Sequence, residues 1–107
     1  MEVVRSHNGT NIRLTTERWT HIVENHDDLA GRMYEVLEAI ADPDVIAIGN
    51  EREFIALRRE NRHALVVIYK EMSATDGFII TAFQTSKAEQ LIKSKKILWK
   101  KQRSKKQ

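Results

Sequence analysis

Ala64-Leu65-Val66-Val67-Ile68-Tyr69 is the most continuously apolar, β-branched run of the chain. Such a run suits a buried strand, which places it at the centre of a sheet. Reading outward, Glu60-Asn61-Arg62 makes a turn back to Glu53-Phe54-Ile55-Ala56-Leu57-Arg58. Gly49-Asn50 then separates that strand from Val45-Ile46-Ala47-Ile48. In the other direction, Asp76-Gly77 closes a turn before Phe78-Ile79-Ile80-Thr81-Ala82-Phe83. Three successive hairpin connections predict a four-stranded antiparallel meander.

Flanking segments follow helical and turn chemistry. Ser6-His7-Asn8-Gly9, between Val3-Val4-Arg5 and Thr10-Asn11-Ile12-Arg13-Leu14, contains Asn-Gly and predicts a small N-terminal hairpin with a solvated His7 at its tip. Thr15 and Thr16 are N-cap candidates for a short amphipathic helix, on which Trp19, Ile22, Val23 and His26 share one stripe. Asp27-Asp28 suit the first turn of a second helix carrying Leu29, Met33, Val36, Leu37 and Ile40, weakened at Gly31 and stopped by Asp42-Pro43-Asp44. Ser86-Lys87-Ala88-Glu89 is a capping box for a last helix, with Ala88, Leu91, Ile92, Leu98 and Trp99 on its apolar side. The expected order is therefore an N-terminal hairpin, two helices, a four-stranded antiparallel sheet and a C-terminal helix. That is an α+β fold with helices on one face of the sheet.

A chain of 107 residues makes one domain, able to bury roughly 65% of its extended-chain surface. We expect that domain to span residues 1–99 and a disordered basic tail to follow over residues 100–107, where no apolar side chain occurs. The absence of cysteine excludes disulfides and thiolate metal sites, and with no long apolar run or signal segment the expectation is a soluble cytoplasmic protein without membrane contact. The net charge of +3 is unevenly spread: residues 1–92 carry ten basic and fifteen acidic groups, whereas residues 93–107 carry eight basic groups and none acidic. A basic end on an acidic body points to a polyanion or an acidic protein partner, or serves solubility alone.

There is no P-loop, no dinucleotide glycine fingerprint and no His-Glu-x-x-His motif. His21 and His26, five positions apart, diverge by about 140° on a straight helix, which is poor geometry for one metal ion. We therefore expect neither metal nor cofactor. Two histidines beside an apolar anchor suit acid–base chemistry at neutral pH, while a packed or capping His26 and a solvated His21 near Glu17 and Glu24 explain them equally. Thr85, Ser86 and Lys87 fall where the last strand meets the last helix, and a helix N-terminus with hydroxyls beside it is suited to phosphate. Thr81 interrupts that strand, and Arg58 and Arg59 close another.

The string Glu17-Arg18-Trp19-Thr20-His21-Ile22, then His26, Pro43-Asp44, the central apolar strand and Ile80-Thr81-Ala82-Phe83-Gln84-Thr85-Ser86-Lys87 resembles the phage-associated nuclease-like branch of the barnase–EndoU–colicin–RelE superfamily. The resemblance covers roughly residues 17–88 and departs from the pattern at Asp27, where proline is expected. It implies a RelE-like fold and a metal-independent endoribonuclease, often a toxin held by an acidic antitoxin or immunity protein, in which a 2′-hydroxyl attacks the adjacent phosphate. On that reading His21 and His26 are the acid–base candidates, and Thr81, Thr85 and Lys87 meet the scissile phosphate. The strand reading adds Arg58, and the tail adds Lys100 and Lys101, as RNA contacts. The rival readings are a non-catalytic RNA- or ribosome-binding module and a protein-interaction half of a toxin–antitoxin pair. Against the RNA-binding module stands a small aromatic supply, three Phe, two Tyr and two Trp, for base stacking.

Overall fold

The computed structural model describes residues 1–102. The elements run β1 (Glu2–Arg5), β2 (Asn11–Leu14), α1 (Thr16–Asn25), a 3₁₀ turn (Asp27–Leu29), α2 (Met33–Ala41), β3 (Val45–Ile48), β4 (Glu53–Arg59), β5 (Ala64–Glu71), β6 (Asp76–Thr85), α3 (Ala88–Lys93) and β7 (Lys96–Lys100). The seven strands form one mixed sheet in the order β1-β2-β6-β5-β4-β3-β7, with β5 in the middle. The meander β3–β6 is antiparallel throughout, as its turns predict.

The sheet is larger than the four strands expected. The N-terminal hairpin joins it, because β2 pairs with β6 in parallel over Asn11–Arg13 and Asp76–Phe78. Gly77 lies between β2 and β5 there and is a strand residue, not a turn residue. A Cβ there would stand 2.3 Å from the Lys70 carbonyl oxygen and 2.8 Å from Ile12 Cδ1. At the opposite edge, residues 96–100 form β7 against β3 instead of continuing the last helix. Trp99 pairs with Ile46 and Ile97 with Ala47, which leaves Leu98 as a bulge, exposed to solvent. α3 is consequently only six residues long, and its N-cap is Lys87 without a side-chain cap bond; Ser86 forms no capping box. The second predicted helix is likewise divided. Gly31 takes a φ of +81°, a left-handed conformation at little steric cost for glycine, and separates the 3₁₀ turn from α2.

Both faces of the sheet are covered, which corrects the one-sided expectation and explains the unbroken apolarity of β5. Leu65, Val67 and Tyr69 point to a layer made by Ile22 of α1, Leu29 and the Val36, Leu37, Ala39 and Ile40 stripe of α2. Ala64 and Val66 point the other way, with Val45, Ala47, Ile55 and Leu57, towards Ala88 and Ile92 of α3. The first hairpin reaches across to the last strand, with the His7 and Trp99 ring centroids 4.5 Å apart, so His7 is not merely solvated. Ser6 and Asn8 fix the same hairpin by donating to the Glu71 carboxylate.

Lys100 closes β7, and Lys101 follows it in ordered contacts. Its N–H donates to the Asp44 carbonyl at 2.8 Å and its Nζ lies 2.9 Å from the Asp42 carboxylate. The expected tail boundary before Lys100 therefore falls too early. The remainder of that predicted tail, residues 103–107, lies outside the described residues. Among those described, no helix is long and apolar enough to cross a membrane.

Candidate functional site

α1 begins where the sequence predicts, with the Thr15 hydroxyl accepting from the Arg18 N–H at 3.1 Å. It ends at Asn25, and His26 is its C-cap at φ −140°, ψ 75°. The His26 N–H donates to the Ile22 carbonyl, while its own carbonyl accepts from Leu29 and starts the 3₁₀ turn. This change of backbone direction carries the imidazole away from the helix and to the Phe83 ring, with centroids 6.0 Å apart. His26 is half-buried, whereas His21 is exposed and lines a different, shallow hollow of about 240 Å³ with Thr15, Glu17 and Arg18. The two histidines are not gathered into one site.

β6 presents its polar candidates through an irregularity. β2 covers its edge only as far as Phe78, and α1 and the 3₁₀ turn pack beside the remainder. Tyr69 pairs with Ile79 and Ile68 with Thr81, so Ile80 is an extra residue in the strand. A bulge of this kind reverses which face the following residues occupy. Ile79 and Ala82 accordingly both enter the helix-side core, and Thr81, Phe83 and Thr85 turn to the other face.

Around Phe83 the surface is open. Phe83, Thr85, Lys87, Gln90 and Leu91 line a hollow of about 300 Å³. Thr85 Oγ1 accepts from the Lys87 N–H at 3.0 Å, which leaves the hydroxyl proton available to an outside acceptor. Lys87 is exposed. Thr85 and Lys87 thus share the hollow with Phe83, His26 meets the same ring, and Thr81 lies two residues before Phe83 on the same strand face, whereas the helix N-terminus invoked from the sequence belongs to a helix of only six residues.

The cationic candidates separate. Arg58 serves the scaffold: it donates to the Asp42 carbonyl at 3.0 Å and lies 3.4 Å from the Glu38 carboxylate and 3.6 Å from that of Asp42. Lys101 is engaged with Asp42, and its hydrogen bond, together with its charge and that of Arg58, holds the Asp42 carboxyl below the usual range. Lys100 lines a groove of about 520 Å³ between α3 and β7. Sequence reasoning missed Arg32, which bonds Glu35 and Glu60 and donates to Gln84 Oε1 at 2.6 Å, bracing the end of β6. Its β-sheet partners are distant in sequence, so no local pattern announces it. Phe83 was read only as a strand residue, because the bulge that turns it to the α3 side of the sheet has no signature in the run Ile79-Ile80-Thr81-Ala82. Among the described residues no three His, Asp or Glu side chains gather as a metal-ligating group.

Compared with known proteins, the chain matches no family model, no curated protein sequence and no solved structure.

Proposed function

We propose that the protein is an endoribonuclease that works without a metal ion and cleaves RNA at the open face of β6. The observation that supports it is the meeting of Thr85 and Lys87 in the hollow beside the half-buried Phe83 ring, with His26 against the same ring and Thr81 two residues earlier on the same strand face. Phe83 offers an aromatic face on which an unstacked base could rest, and one such contact is worth about 1–3 kcal/mol. A phosphate beside that base would meet the Thr85 hydroxyl and the Lys87 ammonium. The His26 imidazole, the titratable group against the ring, would take the proton from the 2′-hydroxyl. The 2′-oxygen then bonds to phosphorus and the bond from phosphorus to the 5′-oxygen breaks, leaving a 2′,3′-cyclic phosphate, while the departing 5′-oxygen takes a proton from solvent water and becomes the 5′-hydroxyl. Lys87 offsets the charge that builds on the phosphoryl oxygens.

His21 has a smaller part in this reading than the sequence implies, since it lies in another hollow. RNA binding without cleavage is the second reading, favoured by that separation, because a lone imidazole can assist only one of the two proton transfers at a time. A RelE-like ancestry and a toxin's role, with an acidic antitoxin or immunity protein as partner, accompany the first reading. The test compares wild type, His26→Ala, Thr85→Ala and His21→Ala on labelled RNA in EDTA, each checked by thermal melt. Loss of a general acid or base lowers the rate by about 10²–10⁴-fold, so His26→Ala should fall that far while His21→Ala stays within a few-fold. A folded His26→Ala protein that cleaves as well as wild type would move the reading to the binding module.

A further inference from the structure

The groove between α3 and β7 has a chemistry distinct from that of the Phe83 hollow. Arg59, Lys93, Lys95 and Lys100 stand along it, and Glu89 is the carboxylate among them. Glu89 is engaged with Arg59, whose Nη2 lies 2.8 Å from Glu89 Oε2. Lys93, Lys95 and Lys100 are exposed and, among the described residues, have no carboxylate within ion-pair distance. Three ammonium groups converging on one concavity raise the local anion concentration more than the same charges scattered over a surface. Its floor is apolar, formed by Ile92 and Ile97.

Gln90 lines this groove and also lines the Phe83 hollow, so the two depressions adjoin on either side of α3. We propose that the α3–β7 groove binds the phosphodiester backbone of single-stranded RNA to one side of the scissile phosphate, with Lys93, Lys95 and Lys100 as its phosphate contacts. The assignment of the ligand as RNA rests on the ribonuclease reading; the anion-binding chemistry rests on the groove alone. Adjacency to the hollow across α3 favours a nucleic acid long enough to reach both depressions over an acidic protein that covers one. The apolar floor favours a single strand, because a duplex keeps its bases stacked and away from such a surface.

The experiment uses the full chain and a fluorescent single-stranded oligonucleotide made uncleavable by 2′-O-methyl groups, with binding followed by anisotropy over a range of KCl concentrations. Removing all three lysines (Lys93→Ala, Lys95→Ala and Lys100→Ala together) should weaken binding at low salt by about tenfold or more. It should also lower the slope of log affinity against log salt by about 2, at roughly 0.7 per phosphate contact. Glu89→Gln should act in the opposite direction and tighten binding a few-fold, a result that loss of folding cannot imitate. Unchanged affinity and slope in the triple variant, or weaker binding in Glu89→Gln, overturns the proposal. So does competition by duplex RNA or polyglutamate as effective as that by single-stranded RNA. A parallel cleavage assay on an all-ribose oligonucleotide separates the two ideas. Groove-dependent binding without cleavage by wild type ends the ribonuclease reading and leaves the groove. Cleavage whose KM is the same in the triple variant ends the groove and leaves the ribonuclease.

Discussion

Replacing Gly77 by alanine tests the feature that most distinguishes this sheet from a plain meander. The added Cβ would stand 2.3 Å from the Lys70 carbonyl oxygen, and ordinary contact begins at 3.4 Å, so backbone must yield by about 1 Å. Ile12 Cδ1 at 2.8 Å and Glu71 Cα at 3.1 Å block retreat on other sides. Ile12 is fully buried in the helix-side core, so its side chain has little free space to enter. Overpacking of this kind costs ~1–3 kcal/mol, against which alanine's smaller unfolded-state entropy returns ~0.4–1 kcal/mol. A net loss of ~1–2 kcal/mol should lower the melting temperature by roughly 5–15 °C in a domain of this size. Gly9 provides the control, because a Cβ there meets nothing within 4 Å and only its φ of +85° is at issue. Asparagine tolerates that conformation, so Gly9→Asn should be nearly neutral, whereas Gly77→Asn should be worse than Gly77→Ala. Melting curves followed by circular dichroism decide it. A Gly77→Ala protein that melts with wild type would refute the close packing of Gly77 between β5 and the Ile12 side chain of β2.

Three further outcomes follow from the same contacts. A chain ending at Trp99 loses the Lys101 N–H bond to the Asp44 carbonyl and should lose about 1 kcal/mol of stability for that bond, measured by urea titration; no loss would return Lys101 to the predicted tail. Arg58→Ala should cost no more than about 1 kcal/mol, since Arg58 and Glu38 are partly exposed, and should leave RNA affinity unchanged in the anisotropy assay. Asp76, held low chiefly by its hydrogen bond from Arg13, and Asp42, held low chiefly by that from Lys101, have folded-state pKa values below their unfolded ones. Their stabilisation is complete above the unfolded carboxylate pKa of about 3.9 and is lost as pH falls through the folded values. Denaturation midpoints should therefore decline on the acid side, and Arg13→Ala should make that decline shallower.

The meander was legible because each of its connections is local: turn residues stand between apolar runs, and the unbroken apolarity of β5 marks it as the central strand. The parallel β2–β6 pair was not, because it joins residues more than sixty positions apart and its enabling Gly77 follows an aspartate that looks like a turn. β7 was misread for a related reason. Three consecutive apolar residues, Ile97-Leu98-Trp99, hide the alternation of a strand, because Leu98 is apolar yet exposed in the bulge against β3. Within the site, the helix end at Asn25 releases His26 from the stripe it was expected to share with Trp19 and Ile22. Lys93, Lys95 and Arg59 gain their common groove only once α3 stops at Lys93 and the chain returns as β7. That stop is a tertiary outcome, since pairing with β3 overrides the helical stripe that Leu98 and Trp99 would extend.

The most direct test of the ribonuclease reading is the chemistry of the product. Purified wild-type protein is incubated with single-stranded RNA in excess EDTA, and the new 3′ ends are identified by mass spectrometry. The account predicts fragments ending in 2′,3′-cyclic phosphate with 5′-hydroxyl partners, absent when the nucleotide on the 5′ side of the scissile phosphate is 2′-deoxy. Intact RNA under conditions where the protein binds it, or fragments carrying 5′-phosphates, would contradict it.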